Sequence, residues 1–152
     1  MTEIPKWDLR HLKFAQHLAG WSKDPSTQVG AYICTQDRQP VSFGYNGLPK
    51  KVEDTQERYH DRELKYKMIV HAERNAIIFA KRDLTDCILY TYPFIPCTVC
   101  AGMVINAGIM KVVSFKFDST RWGRDFDLTR TLFSEADVKL VEYDPYENID
   151  LF

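Results

Sequence analysis

Hydrophobic residues recur at helical spacing near the start of the chain, over residues 5–19. The apolar face carries Trp7, Leu12, Phe14, Ala15 and Leu18. This pattern predicts a helix with a proline in its first turn, ended by Gly20. Apolar residues then dominate two short runs, 29–35 and 41–44, with the polar segment 36–40 between them. That alternation predicts a β-hairpin.

Residues 45–60 are mostly polar and predict a loop. Beyond residue 71 the pattern predicts helices at 72–81, 97–107 and about 125–135, alternating with strands at 87–92, 111–117 and 138–143. Because parallel strands need a crossover, usually helical, the last three strands should be parallel to one another, and the hairpin makes the sheet mixed. The predicted fold class is α/β, a three-layer α/β/α sandwich with a five-stranded mixed sheet. No repeat or linker interrupts it, so residues 1–152 are predicted to form a single domain.

The composition is that of a packed globular protein: 45% of the 152 residues are hydrophobic and 13% are aromatic. No apolar run approaches the roughly 20 residues needed to cross a bilayer. Residues 1–10 include Glu3 and Asp8 and lack the apolar stretch of a signal peptide, so we expect a cytoplasmic protein. The net charge of −1 argues against a stable nucleic-acid partner, but a small anionic ligand needs only a local cluster of donors.

Candidate chemistry lies in two short motifs, His71-Ala72-Glu73 and Pro96-Cys97-Thr98-Val99-Cys100. His71, Cys97 and Cys100 are predicted zinc ligands. A closed structural zinc site takes four protein ligands, whereas a catalytic site takes three and leaves a position for water. Glu73 is not needed as a ligand and is predicted to move protons. We therefore predict one catalytic Zn²⁺ per chain.

Two simpler interpretations of the cysteines stay open. A lone C-x-x-C is more often a redox dithiol or half of a structural zinc site. A structural site would need a fourth ligand, for which Cys34 and Cys87 are candidates, but both lie in apolar runs typical of small buried residues. The full pattern, H-x-E followed by P-C-x-x-C, is a known signature of zinc-dependent nucleobase deaminases.

Further motifs extend this pattern. The segments D-P-S-T-Q-V-G-A at 24–31, G-Y-N-G-L-P at 44–49, H-A-E-R-N-A-I at 71–77 and P-C-T-V-C at 96–100 occur in the order found in deoxycytidylate (dCMP) deaminases. From about Phe14 to Tyr143 the chain resembles that family. The zinc motif is shared by the whole deaminase superfamily, whereas the first two segments resemble the dCMP branch.

The resemblance implies a cytidine deaminase-like fold and hydrolytic deamination of dCMP to dUMP, which supplies thymidylate synthesis. It also implies a homo-hexamer activated by dCTP and inhibited by dTTP, with Mg²⁺ accompanying the triphosphate. Carried over by motif, Asn46 would hold the deoxyribose and Ala72 would contact the substrate. Gly44, Tyr45, Asn46 and Gly47 would belong to an effector-binding loop.

The phosphate-binding residues are less well marked. Lys23, Ser26 and Thr27, before the first strand, are candidates, and Arg121 and Arg124 form a second basic cluster. Such residues are more commonly just solvated. Three aromatic residues, Tyr90, Tyr92 and Phe94, could equally stack on the base or pack in the core, whereas His11 and His17 are expected to be ordinary helix residues.

The chain departs from the family pattern in two segments. Residues 91–95 are one residue longer than the common form, which would reshape the pocket wall beside the metal. Residues 50–70 contain no cysteine, and His60 alone is a poor substitute, so we expect no second, structural zinc.

Other functions remain possible at this point. A deaminase of free cytidine, of adenosine in tRNA or of the riboflavin pathway would share the metal motif. A tRNA enzyme would favour a basic surface, and the G-Y-N-G-L-P segment counts against a riboflavin-pathway domain. A non-catalytic zinc-stabilised module would require a fourth protein ligand and would give Glu73 no role.

Overall fold

The computed structural model describes residues 3–117 and 123–148. Five strands form a single sheet: β1 (Gly30–Cys34), β2 (Pro40–Tyr45), β3 (Ile88–Tyr92), β4 (Lys111–Phe115) and β5 (Lys139–Tyr143). Six helices accompany them: α1 (Lys6–Ala19), α2 (Gln56–His60), α3 (Arg62–Met68), α4 (Ala72–Ala80), α5 (Thr98–Asn106) and α6 (Gly123–Glu135). None of these described helices combines the length and apolar character that crossing a membrane requires.

The strand order is β2-β1-β3-β4-β5. Strand β1 is antiparallel to both of its neighbours, β2 and β3. The remaining pairs, β3 with β4 and β4 with β5, are parallel. The predicted five-stranded mixed sheet is therefore confirmed. Each parallel pair is joined by a helical crossover, as parallel strands require.

Side chains of successive strand residues point to opposite faces of the sheet, which creates two separate cores. Ala31 and Ile33 face a cluster that includes residues of α4, α5 and α6. Tyr32 and Cys34 face the other cluster, which includes Leu12 of α1. The sheet thus lies between α1 on one side and three helices on the other, which confirms the three-layer α/β/α prediction.

The loop predicted over residues 45–60 ends in a short helix, α2, and a second short helix, α3, follows in a segment for which no element was predicted. The first turns of both helices are capped by side chains. The Thr55 hydroxyl accepts a hydrogen bond from the Arg58 amide, and the Asp61 carboxylate accepts one from the Leu64 amide. Helices of five and seven residues are too short to produce a clear hydrophobic period, which explains why neither was predicted from the sequence.

Strand β2 and helix α4 approach each other closely at Gly44. A Cβ at this position would lie 2.5 Å from the carbonyl oxygen of Ala72 and 2.6 Å from the amide nitrogen of Ala76. Ser42, also on β2, donates a hydrogen bond to the Ala76 carbonyl. Only glycine permits this packing, which fixes the start of α4 against the sheet.

We expect Gly44→Ala to destabilise the fold by about 1–3 kcal/mol, because the added methyl group overpacks the contact with α4. The matched control is Gly102→Ala on α5, where an added Cβ meets nothing within 4 Å. Alanine should stabilise that helix position by about 0.5–1 kcal/mol. Urea denaturation of both variants measures the two effects, and equal stabilities would contradict the steric explanation.

Candidate metal centre and active site

The starts of two helices meet at one point. His71 is the N-cap of α4 and Cys97 is the N-cap of α5. The His71 Nδ1 lies 3.5 Å from the Cys97 Sγ and 3.3 Å from the Cys100 Sγ. The structure therefore brings together the three predicted zinc ligands, with their ligand atoms all within 4.8 Å of one another.

This geometry fits zinc. A tetrahedral centre with a Zn–N bond of about 2.0 Å and a Zn–S bond of about 2.3 Å separates its N and S ligands by roughly 3.5 Å. The observed separations agree with that value. Within residues 3–117 and 123–148, no further histidine, cysteine or carboxylate joins the cluster. Cys34 and Cys87 are buried in the two cores, as expected of small apolar residues.

The two cysteines of the cluster differ in the pKa of their thiols. The pKa of Cys97 falls to about 3 because the Cys100 thiol donates a hydrogen bond to it and because His71 is close, although burial opposes the shift. The pKa of Cys100 is raised by its hydrogen bond to Cys97 and by burial. The helix start adds to this effect, since the Cys100 amide points at the Cys97 Sγ at 3.5 Å. A thiolate, the form that binds metal, is thus favoured at this position.

Glu73 lies in the first turn of α4 and is 97% buried, with 3% of its surface exposed. Burial raises the pKa of its carboxyl group, whereas the nearby His71 lowers it. A carboxyl group whose pKa is raised holds a proton more readily than an exposed one, which suits it to general acid–base chemistry. Glu73 is not part of the ligand cluster, so it is available for that role.

Helix α6 supports the start of α5 through contacts that sequence analysis did not anticipate. The Asp125 carboxylate accepts hydrogen bonds from the Thr98 amide and hydroxyl, at 3.0 and 2.7 Å. The Thr129 hydroxyl donates to the Pro96 carbonyl at 2.8 Å. These partners are 27 and 33 residues apart in sequence, and nothing local in the sequence marks them.

Arg74 was also missed. Its Nε donates to the Cys100 Sγ at 3.3 Å, next to the cysteine–histidine cluster. When Cys100 binds a metal as a thiolate, this guanidinium would offset its negative charge and restrain its position. The available signal was its place directly after Glu73, on the turn of α4 that faces α5.

A pocket opens beside the ligand cluster. It is lined by Val29, Ile69, Phe94 and Phe126, by Tyr66, by His71, Ala72, Glu73 and Cys97, and by the polar residues Asp24, Ser26, Thr27, Asn46, Arg62 and Lys65. Apolar and aromatic walls with a few placed polar groups are typical of sites for small organic ligands.

Only some of the predicted substrate-binding residues line this pocket. Ser26, Thr27, Asn46 and Ala72 line the pocket. Lys23 does not: it is exposed, and its Nζ pairs with Asp54 at 2.8 Å.

Only one residue of the second predicted basic cluster, Arg124, is among the described residues. Arg121 lies outside the described residues, and Arg124 is absent from the lining of the pocket.

Asn46 has a structural explanation as well as the predicted substrate role. Its Oδ1 accepts a hydrogen bond from the Val29 amide at 2.9 Å, and its Nδ2 donates to the Thr27 carbonyl at 2.8 Å. The side chain therefore fixes the loop between α1 and β1 against the end of β2. Contact with a substrate would add to these bonds.

The predicted effector loop contributes to two different cavities. Gly44, Tyr45 and Gly47 line an open cavity of about 920 Å³ on the β2 side, together with Lys50. Asn46 instead lines the pocket beside the metal ligands.

The three aromatic residues that could stack on the base lie in three different environments. Tyr90 is a core residue whose hydroxyl donates to Asp8 at 2.7 Å. Tyr92 lines a different cavity, beside Phe115, and only Phe94 reaches the pocket.

The histidines outside the motif are in the expected places. His11 is buried against the Tyr32 and Tyr90 rings, whereas His17 lies on the same helix beside Trp21. His60 is exposed and bonds the Gln56 carbonyl, and the cluster of metal-binding side chains does not include it.

A His/Cys/Cys cluster at two helix starts, next to a buried glutamate, is typical of zinc-dependent nucleobase deaminases. The model of one such family, the cytidine and deoxycytidylate deaminase zinc-binding region, matches residues 5–116. The chain belongs to this family.

Individual relatives support the assignment to this family. An uncharacterized deaminase named for the luxG 3′ region of Aliivibrio fischeri is 43% identical over 140 residues, covering 90% of this chain and 93% of the relative. The deoxycytidylate deaminase of Mus musculus is 37% identical over 132 residues, covering 82% of this chain and 72% of the relative.

A solved structure shows the same fold. The dCMP deaminase of cyanophage S-TIM5, in complex with dCMP and dUMP, superposes with a TM-score of 0.71 at 20% identity and covers 93% of this chain and 98% of the cyanophage chain. At this identity the similarity establishes the fold.

We expect Cys97→Ser to abolish stoichiometric zinc binding, because serine supplies no thiolate. The helix start should survive, since serine is a good N-cap. The control, Cys87→Ala, removes a buried thiol outside the cluster and should retain zinc. Metal analysis of the purified variants, with circular dichroism to verify folding, distinguishes the two, and a full zinc complement in Cys97→Ser would exclude Cys97 as a ligand.

We expect Arg74→Gln to weaken zinc binding by roughly 10- to 100-fold, as is usual when a partner of a metal ligand is removed. Arg74→Lys should fall between this variant and the unmodified protein, because it keeps the charge and loses the planar donor. Competition with a chelator of known affinity gives the constants. Unchanged zinc affinity in Arg74→Gln would show that the contact with Cys100 is incidental.

Proposed function

We propose that this chain catalyses the zinc-dependent hydrolytic deamination of dCMP to dUMP. The observation that carries the proposal is the pocket in which buried Glu73 adjoins three converging metal ligands. The proposal is further supported by relatives named deoxycytidylate deaminase, at 37% identity in mouse and 36% in human. A non-catalytic zinc module would need a fourth protein ligand, and the described residues provide three.

His71, Cys97 and Cys100 would hold the zinc. When bound in an open three-ligand site, this ion acts as a Lewis acid and makes water a stronger nucleophile near neutral pH. The reaction replaces the amine at C4 of cytosine by oxygen, and it requires protons to move from water to the ring and to the leaving group.

Glu73 is the residue suited to that transfer. As a carboxylate it accepts a proton from the attacking water and donates it to N3. It then accepts the second proton from the hydroxyl group now on C4 and donates it to the amine, which leaves as ammonia as the C4=O bond forms. Its burial favours the acid form, and the start of α4 and nearby His71 favour the carboxylate. A single group can therefore serve in both steps.

The pocket walls would bind the rest of the nucleotide. Phe94 and Phe126, whose ring centroids are 5.6 Å apart, offer flat apolar surface to the base. Ala72 lies beside the metal ligands, and Asn46 lies where it can contact the sugar. These walls exclude water from the reacting carbon, which strengthens electrostatic interactions there.

We also propose how the protein is regulated and how it assembles, on the basis of its resemblance to the dCMP deaminase family. We infer that dCTP activates and dTTP inhibits, with Mg²⁺ accompanying the triphosphate, in a homo-hexamer. The open cavity at Gly44, Tyr45 and Gly47 supports this inference, because Lys50 supplies a cation and the aromatic side chains supply stacking surface. The product dUMP would supply thymidylate synthesis. Thiolate ligands are compatible with the reducing cytoplasm.

The decisive assay measures ammonia release from dCMP, CMP, deoxycytidine and dCTP, with and without dTTP. We expect dCMP to be the preferred substrate, and Glu73→Gln to lower its kcat by roughly 10²- to 10⁴-fold. Glu63→Gln is the control, because Glu63 is an exposed residue of α3 paired with Lys67.

Zinc content and circular dichroism should be unchanged in Glu73→Gln, because the residue is not a ligand. Retention of full activity would remove Glu73 from the reaction. Preference for free deoxycytidine over dCMP would contradict the assigned substrate.

A further inference from the structure

The pocket contains a second polar group of residues that the hydrolytic step does not use. It is formed by the loop before β1 and by helix α3, and its members are Asp24, Ser26, Thr27, Asn46, Arg62 and Lys65. Lys65 and Arg62 carry the positive charge in this group. Neither was a candidate in the sequence, because α3 itself was not predicted.

Lys65 is 95% buried, with 5% of its surface exposed, and this is unusual for a lysine. Its Nζ lies 3.2 Å from the Asp24 Oδ1 and 2.8 Å from the Ser26 Oγ. An ammonium group has three N–H donors, and these two contacts account for two of them. The Nζ also lies 5.7 Å from the centroid of the Tyr66 ring, and within the described residues its third N–H donor forms no hydrogen bond, so it can turn to a ligand in the pocket.

Asp24 does not depend on Lys65 alone. Its Oδ1 also accepts hydrogen bonds from the Ser26 amide at 2.9 Å and from the Thr27 amide at 3.3 Å. Its Oδ2 accepts from the Asn46 Nδ2 at 3.4 Å. Burial alone would raise the pKa of Asp24, but these hydrogen bonds lower it. Because several donors share the carboxylate, part of the Lys65 charge remains effective in the pocket.

Arg62 lies three residues before Lys65, on the same face of α3. It is exposed, and among the residues the structure describes it forms no ion pair. A purely structural Asp24–Lys65 pair would need no second cation next to it. Two cations and one carboxylate, Asp24, leave this wall of the pocket with a net positive charge, which matches an anionic ligand.

We propose that Lys65, assisted by Arg62 at the pocket edge, binds the 5′-phosphate of the substrate and so selects the nucleotide over the nucleoside. The inference rests on the proposed function, because it assigns the phosphate end of the same substrate. A nucleoside would leave the third Lys65 donor without a partner in a buried site, and such a loss is a strong basis for discrimination.

The test compares kcat/KM for dCMP with kcat/KM for deoxycytidine. We expect Lys65→Gln to lower the ratio of these values by roughly 10- to 100-fold, as expected for a lost charged hydrogen bond. Arg62→Gln should lower it by roughly 2- to 5-fold, because exposed charges are screened by solvent. The matched control is Lys67→Gln, an exposed lysine of α3 paired with Glu63, which should leave the ratio unchanged.

Two further variants separate recognition from folding. Lys65→Arg keeps a cation and should restore most of the ratio. The double variant Asp24→Asn/Lys65→Gln removes both buried charges, so it avoids the unpaired carboxylate that could unfold Lys65→Gln. In the folded double variant the ratio should still be low. A ratio equal to that of the unmodified protein in either glutamine variant of Lys65 would overturn the proposal.

A binding measurement decides the proposal independently of turnover. Calorimetry with dUMP and with deoxyuridine should show tighter binding of dUMP to the zinc-loaded protein, and Lys65→Gln should remove that advantage. If dCMP were not deaminated but this affinity difference held, the proposed function would fail and the phosphate site would stand. If the two ligands bound equally to the unmodified protein, the phosphate site would be wrong.

Discussion

The site depends on holding the starts of two helices within hydrogen-bonding distance of each other. His71 and Cys97 are 26 residues apart in the sequence, yet their ligand atoms are 3.5 Å apart. Each helix has its own support. Helix α4 is held against β2 by the glycine contact at Gly44, and α5 is held by Asp125 and Thr129 of α6. A displacement of either helix would separate the ligands without altering any of them.

The same arrangement links the fold to the chemistry. The N-H groups at a helix start favour negative charge, so a thiolate at Cys97 and a carboxylate at Glu73 are both stabilised by the backbone. Burial has the opposite effect on Glu73 and raises the pKa of its carboxyl group. Burial prevails over these opposing effects, and a carboxyl group whose pKa is raised in this way holds a proton more readily than an exposed one, which suits it to accept and donate a proton during a reaction.

Much of the architecture could be predicted from the sequence because it depends on local patterns. The helical period of α1 and the alternation of helices and strands after residue 71 were sufficient for the layer order and strand directions. The metal ligands were recognisable because they lie in two short motifs. Arg74, Asp125 and Lys65 were missed for the opposite reason: their importance arises from contacts made across 26 to 41 residues of sequence. Nothing in the neighbourhoods of Asp125 and Lys65 distinguishes them from solvated charges, and Arg74 was marked only by its place directly after Glu73.

Asp8 constrains the order in which parts of the fold can form. Its buried carboxylate accepts hydrogen bonds from the hydroxyls of Tyr90 and Tyr143, at 2.7 and 2.6 Å, and Tyr143 is 135 residues away along the chain. A buried carboxylate is costly until its partners are present. During translation, α1 can therefore not settle on the sheet with this charge fully satisfied until β5 has left the ribosome. Closure of that core consequently waits for a residue synthesised 135 positions after Asp8, so it follows the formation of most of the described fold.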